Sequence, residues 1–492
     1  MISCGVLAAA HPKKGRTFCA QDVVMSAIDN MLRLAAVASV PFVQAATANT
    51  GVHARNADGV TGLMTAAAAG NVDVVRWFLE QGVDVDAGDK SGFTALIAAS
   101  GRGQVHVIKL LKDCAKPNLK THDNQAAIHL AVRHNQLRTI RTLATMPGVD
   151  LNIPNQHGRT ALHIAAAHGF LPIVRFLVKH PRVNLQAVDV EGFNALHLAT
   201  GGHQTEVVKF LEAAGFDLNA LCGRRTSALF IACAVGCLEL VKDLFGRTKF
   251  SVDEDGDTEL HVAVRHSHIL EYVLAQKKHA LDAVTNDGST ALHRAVHEGM
   301  TSMDVVQALV AAKAPLDAKD HLGCTPFFKA CHHGGVQVVR FLLQAKSNPH
   351  ELDRDGFTAL HAASQNGRVP VMNYLVHDVG LALESQNPHG YTPIMCALRF
   401  TKKKAVKWLV SQGVDLHVRS QFGTAIELAR LFENTSDDAR KLSEWLSRPC
   451  GRPECVVRGS KKCSGCCKVR YCSTACQRLH RSDHEPLCFI SL

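Results

Sequence analysis

Residues 157–179 of the 492-residue chain read HGRTALHIAAAHGFLPIVRFLVK, and this stretch decides the fold. Gly158 marks a turn, because glycine adopts positive φ angles at little cost. Thr160 stands where a side-chain oxygen can cap the first turn of a helix. Leu162 and Ala165 lie three positions apart, so they share one face of that helix. The stretch therefore begins with a turn and a short helix that has one apolar face.

The remainder of the stretch predicts a second helix. Gly169 is typical of the end of the first helix. Residues 173–177 form a more hydrophobic run, and its one basic residue, Arg175, falls on the outward side between buried positions. A single helix pair of this kind cannot bury its own apolar face, so stability requires that similar pairs stack on it.

The same pattern recurs along most of the chain. An apolar residue followed three positions later by alanine occurs twelve times, at intervals of 31 to 35 residues. The apolar residues are Leu63, Leu96, Ile128, Leu162, Leu196, Leu229, Leu260, Leu292, Phe327, Leu360, Ile394 and Ile426. Periods of this length are typical of stacked repeat architectures.

These units resemble ankyrin repeats. The Thr-Pro-Leu-His signature of that family is similar to residues 160–163, 290–293 and 358–361, while Thr325 and Thr392 are each followed by proline. The resemblance implies an all-α solenoid of helix-turn-helix repeats with β-turn fingers. It also implies that the turn tips and inner helices grip a protein partner.

The predicted domains follow from the repeat. Residues 56–446 form an array of about eleven repeats and a degenerate C-terminal cap, whose second helix is expected over residues 442–446. Residues 1–55 are an N-terminal segment in which residues 22–46 are expected to form capping helices broken at Pro41. Two repeats depart from the pattern, since Asn124 and Arg225 stand near the place of the turn glycine.

The distribution of charge and cysteine restricts the function. Of the net charge of +10, residues 1–55 carry +3 and residues 447–492 carry +6, so the array is near neutral, unlike a nucleic-acid binder. No run of 18 apolar residues predicts a membrane span. Eight of the 17 cysteines fall within residues 450–488, which favours a metal site in an intracellular, cytoplasmic or nuclear protein over a disulfide framework.

The C-terminal cluster contains seven cysteines and one histidine at spacings suited to metal binding. The candidate ligands are Cys450, Cys455, Cys463, Cys466, Cys472, Cys476, His484 and Cys488. Eight such ligands are enough for two tetrahedral zinc ions and leave no open position for a catalytic water. The alternative is an unstructured basic tail. Because the tail has few core-forming residues, zinc is expected to supply its folding free energy, about 10–16 kcal/mol per ion.

Residues 463–477 resemble a MYND zinc finger, and the resemblance covers all eight ligand positions. It implies a cross-brace, in which one ion is held by Cys450, Cys455, Cys472 and Cys476 and the other by Cys463, Cys466, His484 and Cys488. It also implies a peptide-binding groove near Ser473 and Gln477. The chain departs from the family at Arg481, which replaces the groove tryptophan, and this change favours an acidic peptide.

Other candidate sites have simpler interpretations. Six histidines hold one fixed position in the repeat: His129, His163, His197, His261, His293 and His361. A metal site or proton relay is one interpretation, and a repeated structural hydrogen bond is the one the ankyrin resemblance implies. Cys233, Cys237, Cys331 and Cys396 are expected to pack as small apolar side chains. The sequence contains no phosphate-binding loop or metalloprotease motif.

The sequence thus predicts a non-enzymatic scaffold that holds one protein on its array and another on its zinc finger, with no small-molecule substrate. The alternative is a nucleic-acid or chromatin regulator that acts through the basic finger, although the finger has only Tyr471 and Phe489 as stacking aromatics. An enzyme is disfavoured, because no residues remain for a catalytic domain.

Overall fold

A computed structural model describes residues 20–276, 280–297, 302–333, 335–432 and 436–446, and the short segments 461–462 and 470–471. Its first helices are α1 (Ala20–Val37), α2 (Val40–Thr50), α3 (Gly62–Ala69), α4 (Val72–Glu80), α5 (Ala95–Arg102), α6 (Val105–Leu111), α7 (Ala127–Arg133), α8 (Leu137–Leu143), α9 (Ala161–Ala167), α10 (Leu171–Lys179), α11 (Ala195–Gly201), α12 (Thr205–Ala213) and α13 (Ala228–Val235).

The chain continues with α14 (Leu238–Leu244), α15 (Glu259–Ala263), α16 (Ser267–Ala275), α17 (Ala291–Ala295), α18 (Met303–Ala311), α19 (Pro326–His333), α20 (Val336–Gln344), α21 (Ala359–Asn366), α22 (Val369–His377), α23 (Pro393–Arg399), α24 (Lys403–Ser411), α25 (Ala425–Leu431) and α26 (Asp437–Leu446). Strands β1 (Arg419–Ser420) and β2 (Gly423–Thr424) pair antiparallel, as do β3 (Lys461–Lys462) and β4 (Arg470–Tyr471). The predicted all-α class is confirmed.

The described chain divides into two compact units. The first contains the residues up to Ala232 together with Lys242–Lys249, and the second contains Cys233–Val241 and the residues from Phe250 onward. In each unit, first helices of neighbouring repeats pack on one another: α9 lies between α7 and α11, and α21 lies between α19 and α23.

Alanine forms the contact between these first helices, which are called the inner helices below, while the second helix of each repeat is called the outer helix. The alanine of the repeat pattern is fully buried in eleven of the twelve copies and nearly so in the last. These residues are Ala66, Ala99, Ala131, Ala165, Ala199, Ala232, Ala263, Ala295, Ala330, Ala363, Ala397 and Ala429. A methyl side chain allows the backbones to approach, and larger aliphatic residues from the second helices complete the core at high packing density.

The ends of the inner helices follow from local sequence. The Thr94 hydroxyl accepts a hydrogen bond from the Ile97 N–H at 3.3 Å, and Thr61 caps α3 in the same way. Gly70, Asn135 and Gly367 follow their helices with φ of 81°, 55° and 72°. The sequence predicts helix ends at these residues, and the conformation is one that glycine and asparagine adopt most readily.

A four-residue turn precedes each inner helix, and the side chain of the first turn residue commonly stabilises it by hydrogen bonds. The Asp89 carboxylate accepts hydrogen bonds from the N–H groups of Ser91 and Phe93 at 2.8 and 2.9 Å. Asn155 and Asp353 do the same in other repeats. An Asx side chain that bonds backbone two residues on is a common device for fixing a turn.

Backbone hydrogen bonds join most pairs of successive turns; the turn at Asn387 has Pro388 in the donor position, which has no N–H. The second residue of a turn donates its N–H to the carbonyl of the third residue of the preceding turn. In the first unit the donors and acceptors are Lys90 and Asp58, His122 and Ser91, Val190 and His157, and Gly223 and Glu191, at 2.8 to 3.1 Å. In the second unit they are Asn286 and Asp255, His321 and Asp287, Arg354 and Leu322, and Gln421 and His389, at 2.8 to 3.1 Å.

Two turns accommodate residues other than glycine in the left-handed region. Asn124 has φ of 55°, which asparagine tolerates, and Arg225 has φ of 62°. These are the two departures noted in the sequence. The turn geometry is therefore retained where its usual glycine is absent, at a cost of about 1–2 kcal/mol for Arg225.

The two ends of the repeat region also carry helix pairs. Helix α1 packs on α3, and α2 packs on α1. The break between α1 and α2 lies at Ala38 and Ser39 and not, as the sequence suggested, at Pro41. Pro41 lies in the first turn of α2, where its missing N–H is harmless. At the other end, α26 begins at Asp437, five residues earlier than the sequence suggested. Among the described helices, none is both long and apolar enough to cross a membrane.

The close approach of turns predicts a difference between two glycine substitutions. Gly192 has φ of 78°, and a Cβ there would lie 2.4 Å from the Gly223 backbone nitrogen. Gly82 has φ of 70°, but a Cβ there would meet no atom within 4 Å. Gly82→Ala should cost only the conformational term of about 1 kcal/mol. Gly192→Ala should cost at least about 2–3 kcal/mol, since it also breaks the hydrogen bond between turns. Urea denaturation of both variants measures this, and equal costs would contradict the proposed contact.

Candidate functional site

The six repeated histidines link each inner helix to the next turn. In every case the ring Nδ1 accepts the backbone N–H of the residue that caps the helix, at 3.0 to 3.2 Å. In five of them the ring Nε2 lies 2.9 to 3.1 Å from a carbonyl oxygen beyond that helix pair, as between His361 and Tyr391. Each of these five histidines therefore joins residues that are 23 to 31 positions apart in the sequence.

These contacts fix the protonation state of the histidines. A backbone N–H can only donate, so Nδ1 must be unprotonated and the neutral ring carries its hydrogen on Nε2, which the carbonyl accepts in the five histidines that have one. Burial lowers the pKa of His129 and His361 to about 4. It also lowers the pKa of His163, His197, His261 and His293. The neutral, singly protonated ring serves structure, which confirms the structural interpretation over a metal site.

Exposed apolar side chains mark the tips of the turns. They occupy the residue before the turn or a residue within it, and they are between 48% and 72% exposed, except for Leu352 at 45%. In the first unit they are Val188, Val190 and Leu221. In the second unit they are Val252, Val284, Leu322, Leu352 and Phe422. An ordered row of exposed apolar groups is typical of a surface that binds a protein.

The inner helices of the second unit add charge to this surface. Arg294 forms an ion pair with Asp257 at 3.3 Å, and Lys329 forms one with Asp320 at 2.7 Å. Asp320 begins a turn and Asp257 directly follows one, and both bases occupy the fourth residue after the capping threonine. Asp257, Arg294 and Lys329 lie around a cavity of about 450 Å³ whose rim includes Leu322. This site was not identified from the sequence, although the fourth position after the capping residue is basic only in these two repeats.

His297 and His333 border the same cavity, and His332 lies beside His333. The rings of His297 and His333 stack with centroids 4.2 Å apart, and His332 Nδ1 lies 2.8 Å from His333 Nε2. Burial and the neighbouring His333 lower the pKa of His332 to about 4. Among the described residues, no group of three or more potential ligands has the arrangement of a metal site.

The buried cysteines of the repeats are inert packing residues. Cys233, Cys331 and Cys396 are buried, as the sequence predicted, and Cys237 is half-buried. Burial raises the pKa of Cys233 and Cys331 far above that of a free thiol and raises that of Cys396 to about 12. Such thiols are protonated near pH 7 and lack the thiolate character that a nucleophile needs.

The predicted zinc finger is described only through strands β3 and β4. Lys461 pairs with Tyr471 and Lys462 pairs with Arg470. In the sequence, Cys463 follows β3 directly and Cys472 follows β4 directly. A hairpin at this point suits zinc, because it brings two ligand-bearing stretches of chain together. The eight predicted ligands and the peptide-binding candidates Ser473 and Gln477 lie outside the described residues.

Comparison with protein families confirms both resemblances. A family model of ankyrin repeats (three copies) matches residues 32–121, 128–222, 229–320, 301–382 and 349–420. A model of the MYND finger matches residues 449–488, which include all eight predicted ligands. The C-terminal segment is therefore a finger of a zinc-binding type.

Individual relatives match the repeats. A putative ankyrin repeat protein, YahD, from Escherichia coli is 29% identical over 25% of this chain and 65% of its own length. The mouse B-cell lymphoma 3 protein homolog is 31% identical over 31% of this chain and 35% of its own. Human NF-kappa-B inhibitor alpha is 30% identical over 28% of this chain and 47% of its own. The chain thus spans less than two thirds of the length of each relative.

The buried histidines predict acid sensitivity. Their folded-state pKa lies below the ordinary value of 6.5, so the unfolded chain binds more protons between pH 6.5 and 4. Stability should be full above pH 6.5 and should fall toward pH 4, by about 3 kcal/mol for each of His129 and His361.

The variant His361→Gln tests this directly. Glutamine can still cap the helix but does not titrate. The variant should therefore be less stable than the parent at pH 7, and its stability should fall less than that of the parent when the pH is lowered. Urea midpoints from pH 7.5 to 4.5 measure both effects, with the exposed His350→Gln as the control. An unchanged pH slope in His361→Gln would contradict the assignment.

Proposed function

The chain belongs to the ankyrin-repeat family, and we propose that it is a non-enzymatic scaffold that holds one protein on its repeats and a second on its C-terminal MYND finger. The binding of one protein by the repeats is supported by the row of exposed apolar side chains, which lie on turns that are joined by backbone hydrogen bonds. Rigid presentation reduces the entropy lost on binding, which favours recognition of a folded or extended protein surface.

The proposed binding surface in the second unit combines three kinds of contact. Val284 and Leu322 supply apolar area at the turn tips, at 53% and 68% exposure. The cavity behind them accepts a side chain, and the pairs of Arg294 with Asp257 and Lys329 with Asp320 offer charged groups to its backbone. Interfaces gain most of their affinity from a few such anchors at the centre of a polar rim.

We propose domain boundaries at residues 1–55, 56–446 and 450–488. We also propose that the third domain binds two zinc ions through the eight ligands, in the pairing that the family implies. When bound, zinc supplies the free energy that folds the finger. Arg481 replaces the tryptophan of the usual groove, so the finger is proposed to take an acidic peptide near Ser473 and Gln477.

We place the protein inside the cell, in the cytoplasm or the nucleus. All seven cysteines among the described residues are free. Free thiols in this number, together with a cysteine-rich zinc finger, are compatible with a reducing compartment. The alternative function, nucleic-acid or chromatin binding by the basic finger, rests on its charge of +6, and its affinity would fall steeply with salt.

Zinc content tests the finger. Cys472→Ser should release one zinc ion per chain and leave the helical circular dichroism signal almost unchanged, because the repeats do not depend on the metal. Cys467→Ser serves as the matched control, since Cys467 is not a proposed ligand. Zinc content is measured by atomic emission after dialysis. Two ions retained in Cys472→Ser, or one lost in Cys467→Ser, would refute the ligand assignment.

Affinity purification tests the scaffold. The full chain, Leu322→Asp and Cys472→Ser should recover different protein sets, each variant losing one group of proteins and retaining the other. Val37→Asp is the matched control, because Val37 is 84% exposed on α1, away from the turns. Loss of the same proteins in both variants, or in the control, would argue against two separate binding surfaces.

A further inference from the structure

A second surface of the first unit lies between the outer helices α8 and α10. It is a groove of about 430 Å³, a volume typical of a small binding site. Its apolar side chains are Leu137, Pro172, Phe176 and Pro181, and its basic or titratable ones are Arg141, Arg175, Lys179 and His180. No carboxylate is among these lining residues. This face is separate from the turn tips and inner helices proposed above to bind a partner.

The arginines of the groove lack the acidic partner that other repeats provide. On α4, Arg76 pairs with Asp73 three positions earlier, at 3.7 Å. On α12, Lys209 pairs with Glu206 at the same spacing, at 3.6 Å.

On α8 and α10 the corresponding positions hold Arg138 and Pro172. Neither Arg141 nor Arg175 has an ion pair with a described carboxylate. The two repeats thus present guanidinium groups whose ionic partner is missing from this part of the chain.

Aromatic contacts orient these guanidinium groups. The Arg141 Cζ lies 5.9 Å from the Phe176 ring centroid, and the Arg175 Cζ lies 5.5 Å from that of Phe210. Such contacts hold a cation without neutralising it. A guanidinium group held over a ring keeps N–H donors available, and a guanidinium group binds a carboxylate through two hydrogen bonds.

We infer that this groove binds an acidic peptide segment in which a bulky apolar side chain lies between carboxylates. The apolar side chain fits against Pro172, Pro181 and Phe176, and the carboxylates pair with Arg141 and Arg175. Neighbouring repeats are about 10 Å apart, the diameter of a helix, and three residues of extended peptide span about that distance. The inference rests on the proposed scaffold function and names the chemistry of one partner.

Nucleic acid fits the groove less well. Single strands bind through bases stacked on open aromatic faces, along a groove that follows the backbone. Here the Arg141 guanidinium already lies over the Phe176 ring. The lining is half apolar, and α8 is only seven residues long. A short segment with one apolar anchor matches these features better than a phosphate backbone does.

Fluorescence anisotropy with defined peptides tests the inference on the full chain. The probe is fluorescein-labelled Glu-Glu-Glu-Phe-Glu-Glu-Glu at pH 7.4 and 100 mM salt, and the parent and all variants carry Cys472→Ser, because the finger is itself proposed to take an acidic peptide. Binding should weaken at least tenfold in the double variant Arg141→Gln/Arg175→Gln and should be unchanged in Arg76→Gln, where the arginine already has a partner. A peptide with glycine in place of phenylalanine should bind at least fivefold more weakly. Circular dichroism and thermal melting confirm that the variants fold.

Three results would overturn the inference. They are equal affinity of the double variant and the parent, equal affinity of the phenylalanine and glycine peptides, or tighter groove-dependent binding of a 20-nucleotide single strand. The scaffold function is tested separately by Leu322→Asp and Cys472→Ser, which leave this groove intact. A failure of the peptide titration alone therefore rejects the groove and not the scaffold.

Discussion

A backbone hydrogen bond between successive turns is the contact on which the rest of the structure depends. Val190 donates its N–H to the His157 carbonyl at 3.1 Å, and the same pairing recurs in both units. Because it uses main-chain atoms, it tolerates almost any side chain at the turn tips. The side chains at positions such as Val190 and Leu322 can therefore differ between repeats while the spacing of the repeats stays the same. The bond requires the two turns to approach closely. At Gly192 a Cβ would lie 2.4 Å from the backbone nitrogen of the neighbouring turn, and glycine, which has no Cβ, allows this approach.

The buried histidines form a second set of hydrogen bonds between successive repeats. His361 accepts the N–H of Thr358 with one nitrogen and donates to the Tyr391 carbonyl with the other. The cap of one inner helix is thereby tied to the turn that follows. This link requires a neutral ring, so rigidity and proton binding are coupled, and the turns that carry the proposed binding surface are supported by groups that titrate only in acid.

Much of this could be predicted from sequence because the repeat is local and periodic. The spacing of Leu162 and Ala165 predicted a buried helical face, and Gly70 and Asn135 predicted helix ends, all of which the structure contains. The groove between Arg141 and Phe176 could not be predicted, because it joins residues of adjacent repeats whose side-chain directions depend on packing. The ion pair of Lys329 with Asp320 was missed for the same reason. The zinc ligands remain a prediction from spacing and family, since they lie outside the described residues.

Hydrogen exchange at the turns tests the role of these main-chain bonds most directly. Lys90, Val190 and Arg354 have exposed side chains, yet each donates its backbone N–H to the preceding turn. If the turns are tied together, these amides should exchange at least about a thousandfold more slowly than in an unstructured peptide. Exchange within tenfold of the unstructured rate would show that the turns open independently of one another, which would contradict a repeat array held together by these hydrogen bonds.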